Sequence, residues 1–302
     1  MKAIVIGLGV QGQKRKKTLQ KKGFYVCSVD PLNKEAEEKK ISQIEKYKYD
    51  TVFICVPDKE KEKYVDIFIN KKINIFIEKP FLVNDEKMKL YEKLSNINKK
   101  YFYIAYNHRF EPHLMKVKKI LFDKNIGDIY YLNIFYGNGT AKLVKNSWRN
   151  KNFLIEYDLG SHLVDLLLFF FNKKKITLKY LNKKSLENKK PDWALMLLNC
   201  GKIKVKFEMT YCCWENTFNF LVVGSKGLVK IDNLCKWGDS TIKIEKRIFP
   251  SGYPKLVKKV LRIKDPTWMS ELNFFNKNIV NNKKVNLKKD MIINKILKGN
   301  NF

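Results

Sequence analysis

The chain has 302 residues, 45% of them hydrophobic, which allows two globular domains sharing a cleft and excludes a disordered chain. Its net charge of +31 comes from lysine, since all but five of the 61 basic residues are lysines spread along the whole length. Nucleic-acid readers depend on the bidentate arginine side chain, so this composition favours a solvated lysine surface over a specific nucleic-acid interface. A weaker consequence is a positive field that attracts anionic substrates.

The six cysteines show no C-x-x-C spacing, and most of them lie in apolar runs that resemble strands. This pattern is typical of reduced core thiols, so we expect a cytoplasmic protein with no metal site. No signal peptide precedes Met1-Lys2-Ala3, and the most apolar run, 166–171, is too short to cross a bilayer. We therefore expect no membrane association.

The first motif follows the short apolar run 3–6, which predicts a strand buried on both faces of a parallel sheet. Gly7, Gly9 and Gly12 come next as G-x-G-x-x-G, ahead of a helix-length polar segment. Gly7 would turn the chain, Gly9 would let a pyrophosphate approach the backbone, and Gly12 would let the helix pack against the sheet. The alternative is a glycine turn in a non-binding domain. The predicted cofactor contacts here are Gly7, Gly9, Val10, Gln11 and Gly12.

A second strand, predicted over residues 24–29, ends at Asp30. A dinucleotide-binding fold places a carboxylate at this point to accept the ribose hydroxyls of the adenosine. Such a carboxylate repels a 2′-phosphate, and Lys34 is the only close cation. The sequence therefore predicts NAD in preference to NADP.

Further strands are predicted at 51–56, 73–77 and 101–105, separated by helix-length amphipathic segments. This alternation is typical of a Rossmann dinucleotide-binding domain, with ligands at the carboxyl ends of the strands. Lys79 follows the fourth strand and would lie at that edge, where a lysine can hold a substrate oxygen and exchange a proton. One more surface lysine is the equally weighted alternative.

A helix at about 113–122 is expected to close this first domain, so we assign residues 1–122 to it. Residues 123–302 would form a second, α+β domain, built on a mainly antiparallel open sheet that binds substrate and forms a homodimer or homotetramer. The predicted strands of that sheet are 129–136, 193–199, 203–211, 218–223, 228–231 and 241–245, with closing helices at 269–280 and 290–298.

Within the second domain, residues 157–167 predict a helix on which Asp158 and His162 share one face. A histidine held by a carboxylate one turn away is a competent general base. A surface or core hydrogen bond is the more common meaning of such a pair. Gly160 costs this helix about 1 kcal/mol relative to alanine, which predicts a close approach of backbone or ligand.

Three of these motifs, 7–12, 78–80 and 158–165, stand in the order and spacing of the glucose-fructose oxidoreductase / inositol dehydrogenase family, Gfo/Idh/MocA. Segments 106–110 and 224–227 also resemble that family, as does Trp148-Arg149. The resemblance implies hydride transfer between a nicotinamide cofactor and a sugar-like alcohol, with Lys79, Asp158 and His162 as catalytic residues. The resemblance also predicts that Pro57, Glu78 and Lys79 contact the cofactor. The substrate contacts expected on this basis are Asn107, Arg109, Trp148, Arg149, Asp158 and His162.

The chain departs from the family pattern at two positions. Lys61 stands where a histidine often follows the proline of the third strand, and Glu156 stands where glycines often precede the D-x-G-x-H helix. The expected function is an NAD(H)-dependent oxidoreductase acting on a secondary hydroxyl or ketone of a sugar or nucleotide sugar. The alternatives are a non-catalytic dinucleotide sensor on the same fold and, from charge alone, a nucleic-acid binder.

Overall fold

The structure is a computed structural model that describes residues 1–145, 155–171, 175–250 and 252–299. Two compact units divide the chain: the first contains Met1–Asn107 and Thr267–Asn294, and the second contains His108–Pro266 and Lys295–Phe302. These units differ from the expected domains, because the helix after residue 111 belongs to the second unit and residues 267–294 return to the first. The assignment of 1–122 and 123–302 as functional domains stays a prediction.

The first unit contains a five-stranded parallel sheet in the order β2-β1-β3-β4-β5. Every residue of β1, β3, β4 and β5 is buried, as expected for strands covered by helices on both faces. This confirms the Rossmann-like architecture. The strands are β1 Ala3–Ile6, β2 Tyr25–Val29, β3 Thr51–Ile54, β4 Asn74–Glu78 and β5 Phe102–Ala105.

The helices of the described residues begin with α1, directly after the glycine motif. In chain order they are α1 Val10–Lys21, α2 Asp58–Ile69, α3 Asp85–Ile97, α4 Pro112–Phe122, α5 Ala141–Lys145, α6 Ser161–Phe170, α7 Thr267–Val280 and α8 Lys288–Leu297. Short 3-10 helices cover Ile41–Lys46, Asn107–Phe110 and Cys235–Trp237.

Aromatic side chains fill the core on one face of the first sheet. Phe53 and Phe76 stack with ring centroids 4.4 Å apart, and Phe275 of α7 meets them edge-on at 5.8 and 5.1 Å. Such offset and edge-to-face contacts add to the free energy gained from burying the rings. The rigid sheet that results fixes the carboxyl ends of its strands, where the predicted cofactor residues lie.

The second unit contains an eight-stranded sheet in the order β13-β12-β11-β10-β6-β9-β8-β7. Neighbouring strands are antiparallel except β6 and β9, which confirms the mainly antiparallel sheet. The strands are β6 Ile129–Gly137, β7 Ile176–Lys184, β8 Trp193–Cys200, β9 Ile203–Thr210, β10 Thr217–Gly224, β11 Gly227–Asp232, β12 Ser240–Lys246 and β13 Lys255–Leu261.

Two strands of this sheet, β7 and β13, were not predicted from the sequence. They form the two edges of the sheet, and β13 is exposed along nearly its whole length. An exposed edge strand needs no alternation of apolar and polar residues, and lysines protect it against pairing with other chains. The pattern that identifies a half-buried strand is therefore missing from β13. In β7 the alternation covers only Ile176–Leu178, because the pairing register shifts between Leu178 and Tyr180.

The helix predicted over 157–167 is divided into two parts. Glu156–Gly160 is π-helical, and the α-helix α6 begins at Ser161. A π-helical turn contains more residues than an α-helical turn, so Asp158 and His162 are not related by a regular α-helical repeat. Gly160 lies close to the sheet, since a Cβ there would be 3.2 Å from the Met209 sulfur, and this approach explains the glycine.

Candidate functional site

The glycine motif forms a cradle at the carboxyl end of β1. Gly7 has a φ of +85°, and a Cβ on it would lie 2.9 Å from the carbonyl of Cys55. A Cβ on Gly12 would lie 2.0 Å from the Gly7 oxygen, so only glycine allows α1 to approach the strand this closely. A Cβ on Gly9 would have no atom within 4 Å. The loop is therefore tight on its inner side and open at Gly9, as the approach of a pyrophosphate to the backbone requires.

The N-terminus of α1 can receive an anion. Gly9 caps the helix without a side-chain hydrogen bond, and the first turn contains no acidic residue. The first N–H groups of a helix have no intrahelical partner and carry the positive end of its dipole, which favours a phosphate. Within the described chain, the buried Oε1 of Gln11 has no hydrogen-bond partner, so it can accept a hydrogen bond from a ligand.

Asp30 directly follows β2 and is tied to the glycine loop. Its Oδ2 accepts from the Leu8 N–H at 2.7 Å, and its Oδ1 accepts from the N–H groups of Leu32 and Asn33 at 2.8 and 2.9 Å. Partial burial alone would raise the pKa of Asp30, but these three donors, with the charge of Lys39, hold it below its usual range. A charged carboxylate thus stands at the rim of the cradle.

Asn33 is a residue that the sequence analysis missed. Its side-chain amide donates to the Leu8 carbonyl at 2.7 Å, whereas Asp30 accepts from the Leu8 N–H, so the two side chains together hold the glycine loop. The D-x-x-N spacing directly after a predicted strand was the available signal, because Asp and Asn side chains often close such turns on the backbone.

Glu78, at the end of β4, belongs to a buried ion network rather than to an open surface. The Nε of Arg15 donates to Glu78 at 2.6 Å, and its Nη2 donates to Glu271 at 2.7 Å. The Tyr103 hydroxyl donates to the same Glu271 at 3.0 Å. Burial would lower the pKa of Arg15, but the two carboxylates raise it above its ordinary value, so the guanidinium stays charged.

Lys61 lies in the interior of the first unit, at the first of the two departures from the family pattern. Its ammonium is 2.6 Å from Asp58 Oδ1 and donates to the Pro80 carbonyl at 2.7 Å, with 2% of the side chain exposed. Burial lowers the pKa of Lys61, and the neighbouring Asp58 opposes that shift. Lys61 therefore holds the backbone directly after Lys79, while Pro57 caps the helix that carries it.

The first unit thus presents its predicted residues along one edge. Gly7, Asp30, Pro57, Lys79 and Asn107 each follow a strand of the parallel sheet, β1 to β5 in turn. Asn107 donates from its side-chain amide to the hydroxyl of Thr267 at 3.2 Å. All five lie where ligands bind in open α/β sheets.

The second unit holds Asp158 and His162. Asp158 Oδ2 accepts from the Tyr211 hydroxyl at 3.1 Å, a partner that the sequence gave no reason to expect. The ring of His162 packs against the ring of His108, with centroids 3.8 Å apart, and both histidines are buried. Asp158 thus lies at the junction of the π-helical segment and β9, while His162 lies beside a second imidazole.

Arg109, predicted to contact an anionic substrate group, forms an ion pair inside the second unit. Its guanidinium contacts both carboxylate oxygens of Asp165, which is fully buried on α6. This pair anchors the segment before α4 to α6. The substrate role of Arg109 stays a prediction, and the structure gives it a packing role as well.

Trp148 and Arg149 lie outside the described residues. Glu156, at the second departure from the family pattern, is buried and receives a 2.8 Å hydrogen bond from Lys183. In the parts of the chain that the structure describes, no group of three His, Cys, Asp or Glu side chains could hold a metal ion. Nor does any described helix combine the length and apolarity needed to cross a membrane.

Comparisons with known proteins agree with this architecture. Residues 114–230 match the model of the GFO/IDH/MocA C-terminal domain. An inositol 2-dehydrogenase of Rhizobium meliloti is 27% identical over 128 residues, which are 42% of this chain and 38% of that enzyme. The match thus spans less than half of that relative.

Two solved structures share the whole fold. A protein of Desulfitobacterium hafniense, described as an NADPH-dependent oxidoreductase, has a TM-score of 0.84 at 16% identity and covers 99% of this chain and 93% of its own. An Agrobacterium radiobacter oxidoreductase, solved with NAD+, L-tartaric acid and magnesium, has a TM-score of 0.79 at 13% identity and covers 99% and 95%. At these identities the likeness establishes the fold.

The fold is a Rossmann-like parallel sheet followed by an open, mainly antiparallel sheet, and these solved oxidoreductase structures share it. Residues 114–230 resemble the C-terminal domain of one family of such proteins. The resemblance to the Gfo/Idh/MocA oxidoreductases, first drawn from three motifs, is confirmed.

Proposed function

We propose that this protein is an NAD(H)-dependent oxidoreductase that transfers a hydride to or from a secondary hydroxyl or ketone of a sugar, inositol or nucleotide sugar. The observation that carries the proposal is the glycine cradle with the Asp30 carboxylate at its rim. The inositol 2-dehydrogenase relative and the NAD+ complex of a protein with the same fold support it.

The cofactor assignment depends on Asp30. A carboxylate held ionised at the end of β2 accepts both ribose hydroxyls of NAD and repels the 2′-phosphate of NADP. The glycine cradle and the N-terminus of α1 would hold the pyrophosphate. When bound, the nicotinamide supplies or accepts the hydride. NADPH remains the competitor to measure, since the D. hafniense protein is described with that cofactor.

The chemistry assigned to the side chains is proton transfer and charge stabilisation. His162 takes the proton of the substrate hydroxyl as a general base, and Lys79 stabilises the developing negative charge on that oxygen and shares the proton relay. Asp158, itself bonded to Tyr211, supplies the negative charge that supports a protonated His162. We also propose that Asn107 and Arg109 contact the substrate.

A non-catalytic dinucleotide sensor on the same fold is the second candidate. The presence of Lys79, Asp158 and His162 together argues against it, because a sensor needs no proton relay. Nucleic-acid binding is supported only by the net charge of +31. It would show a steep dependence of DNA affinity on salt near physiological ionic strength.

The test is a comparison of initial rates with inositols, sugars and nucleotide sugars for wild type, Lys79→Ala and His162→Ala. Each variant should lose about 10² or more in turnover and keep its NADH affinity, since neither residue belongs to the adenosine end of the site. Turnover close to wild type in either variant would remove that residue from the mechanism.

We further propose a reducing, cytoplasmic location, in keeping with six free thiols, and a homo-oligomer formed through the second sheet.

A further inference from the structure

The second unit surrounds His162 with groups that the family motifs do not assign. We propose that His108 and Lys236 are positioning residues for His162, and that together they keep it a neutral base until it takes the substrate proton. This inference rests on the proposed function, because it concerns the proton acceptor of that reaction.

The short 3-10 helix Cys235–Trp237, which carries Lys236, is held in place by the side chain of Glu111. Glu111 is almost fully buried, and its carboxylate accepts from the Leu114 N–H at 3.0 Å, where it caps α4. The other oxygen of the same carboxylate accepts from the Cys235 N–H at 3.3 Å. The residue before Lys236 is therefore fixed to the start of α4, four residues beyond His108.

The contact between Lys236 and His108 fixes the state of that histidine. The Lys236 nitrogen lies 3.1 Å from His108 Nε2, and an ammonium group can donate but not accept. Nε2 must then be the acceptor, which puts the single proton of His108 on Nδ1. Protonating His108 would remove the acceptor and place a second positive charge beside the ammonium, so the imidazole stays neutral.

His108 affects the protonation of His162 because the two rings are in contact. The two rings are 3.8 Å apart at their centroids and tilted by 46°, with His108 2% and His162 7% exposed. Two buried imidazoles at this distance cannot both carry a charge without a large cost, so they take up protons as a coupled pair. Because Lys236 keeps His108 neutral, the first proton goes to His162, and the nearby ammonium delays that uptake to lower pH.

Among the described residues of the second unit, the charged and titratable groups considered next oppose this effect or are neutral in sum. Asp158 favours a protonated His162, and it is the negative counterpart of Lys236. The ring of Tyr136 lies 5.6 Å from His108 and 6.4 Å from His162, and burial and then Asp158 raise its pKa, so it is neutral. The Arg109–Asp165 pair carries no net charge, and the Tyr211 hydroxyl donates to Asp158. Within the second unit, the balance between Lys236 and Asp158 therefore shifts the pH at which His162 accepts a proton.

The chain offers a clean experiment, because it contains only three histidines. The third, His113, has its Nδ1 2.8 Å from the Ser240 hydroxyl and serves as an internal reference. Long-range nitrogen–proton NMR spectra of the full chain report the tautomer and charge of each imidazole across a pH titration. His108→Phe assigns the His108 signals.

Lys236→Met is the informative variant, and Lys246→Met, at an exposed position on β12, is its matched control for the lost charge. In wild type, His108 should remain the neutral Nδ1–H tautomer while His162 titrates. Lys236→Met should raise the pH of the first proton uptake by the pair by about one unit, with His113 unmoved. Lys246→Met should leave all three unchanged, and Lys236→Arg, which retains a donor, should stay near wild type.

Any of four results would overturn the proposal. They are an Nε2–H tautomer or an independent titration of His108 in wild type, equal shifts in Lys236→Met and Lys246→Met, or a shift of His113 as large as that of the pair. The titration needs no substrate, so it separates the two levels of inference. If the titration follows the prediction but no substrate is turned over, the proposed coupling of His108 and His162 is supported and the proposed oxidoreductase function is contradicted. His162-dependent turnover with an unmoved titration would do the reverse.

Discussion

At the scale of single residues, Asp30 and Asn33 hold the glycine loop through hydrogen bonds to its backbone at Leu8. Asp30 was predicted from its distance to the glycine motif, because that spacing follows from one strand and one helix. Its three backbone donors, and the amide of Asn33 on the Leu8 carbonyl, depend on a turn that no periodicity reveals. The contacts of Lys61 and His108 depend in the same way on residues distant in sequence.

The first prediction concerns the choice of cofactor. Wild type should bind NADH more tightly than NADPH by roughly an order of magnitude or more, and Asp30→Ala should reduce this preference because the charge that repels the 2′-phosphate is gone. Fluorescence titrations with both cofactors measure it, and melting temperatures check that the turn survives. Equal or tighter NADPH binding by wild type would contradict the assignment. Lys34→Met would then test whether Lys34 holds the 2′-phosphate.

The second prediction concerns Lys61. Lys61→Met should lower the free energy of unfolding by about 1–3 kcal/mol, because Asp58 and the Pro80 carbonyl lose a buried donor. If Lys61 also positions Lys79, turnover should fall while NADH affinity changes little. Lys63→Met, on the exposed face of α2, is the matched control and should stay within about 0.5 kcal/mol of wild type in a denaturant titration. A Lys61 variant as stable and active as this control would mean that the buried contacts contribute nothing.

At the scale of elements, strong patterns were predicted and edges were not. The buried parallel strands and the half-buried strands of the second sheet follow their expected periodicity. The edge strand β13 does not, because solvent leaves its side chains unconstrained, and the alternation in β7 is interrupted by a shift of register between Leu178 and Tyr180. The π-helical turn before α6 was also missed, since a segment of five residues is too short for its apolar pattern to distinguish a π-helical from an α-helical turn.

The third prediction concerns the ion network that joins three elements of the first unit. Arg15 of α1 binds Glu78 of β4 and Glu271 of α7, and all three side chains are largely or fully buried. Arg15→Met leaves two buried carboxylates without their shared cation, so we expect a loss of roughly 3–5 kcal/mol in the free energy of unfolding.

The companion variant Arg15→Met/Glu271→Gln tests the cause of that loss. It removes one of the two uncompensated charges and should recover part of the stability, as measured by urea denaturation. If the double variant were no more stable than the single one, the cost would come from lost packing of Arg15 against Phe76, which lies 4.4 Å from the guanidinium carbon.

At the scale of the whole molecule, the sequence predicted a Rossmann unit followed by a second sheet but not the path of the chain between them. Leu272 and Phe275 of α7 pack into the core of the first unit, although they follow the last strand of the second. The sequence pattern of an amphipathic helix reveals an apolar face, but it does not reveal which sheet that face packs against. The returning segment was therefore invisible to pattern alone.

The central claim is hydride transfer between the nicotinamide and a substrate carbon. The most direct measurement uses NADH carrying deuterium at both C4 positions with a panel of keto sugars and keto-inositols, followed by mass spectrometry of the products. The account predicts one carbon-bound deuterium in the product of at least one substrate, with transfer lowered about 10² or more in His162→Ala. Tight NADH binding with no label transferred to any substrate would contradict it and leave a dinucleotide sensor.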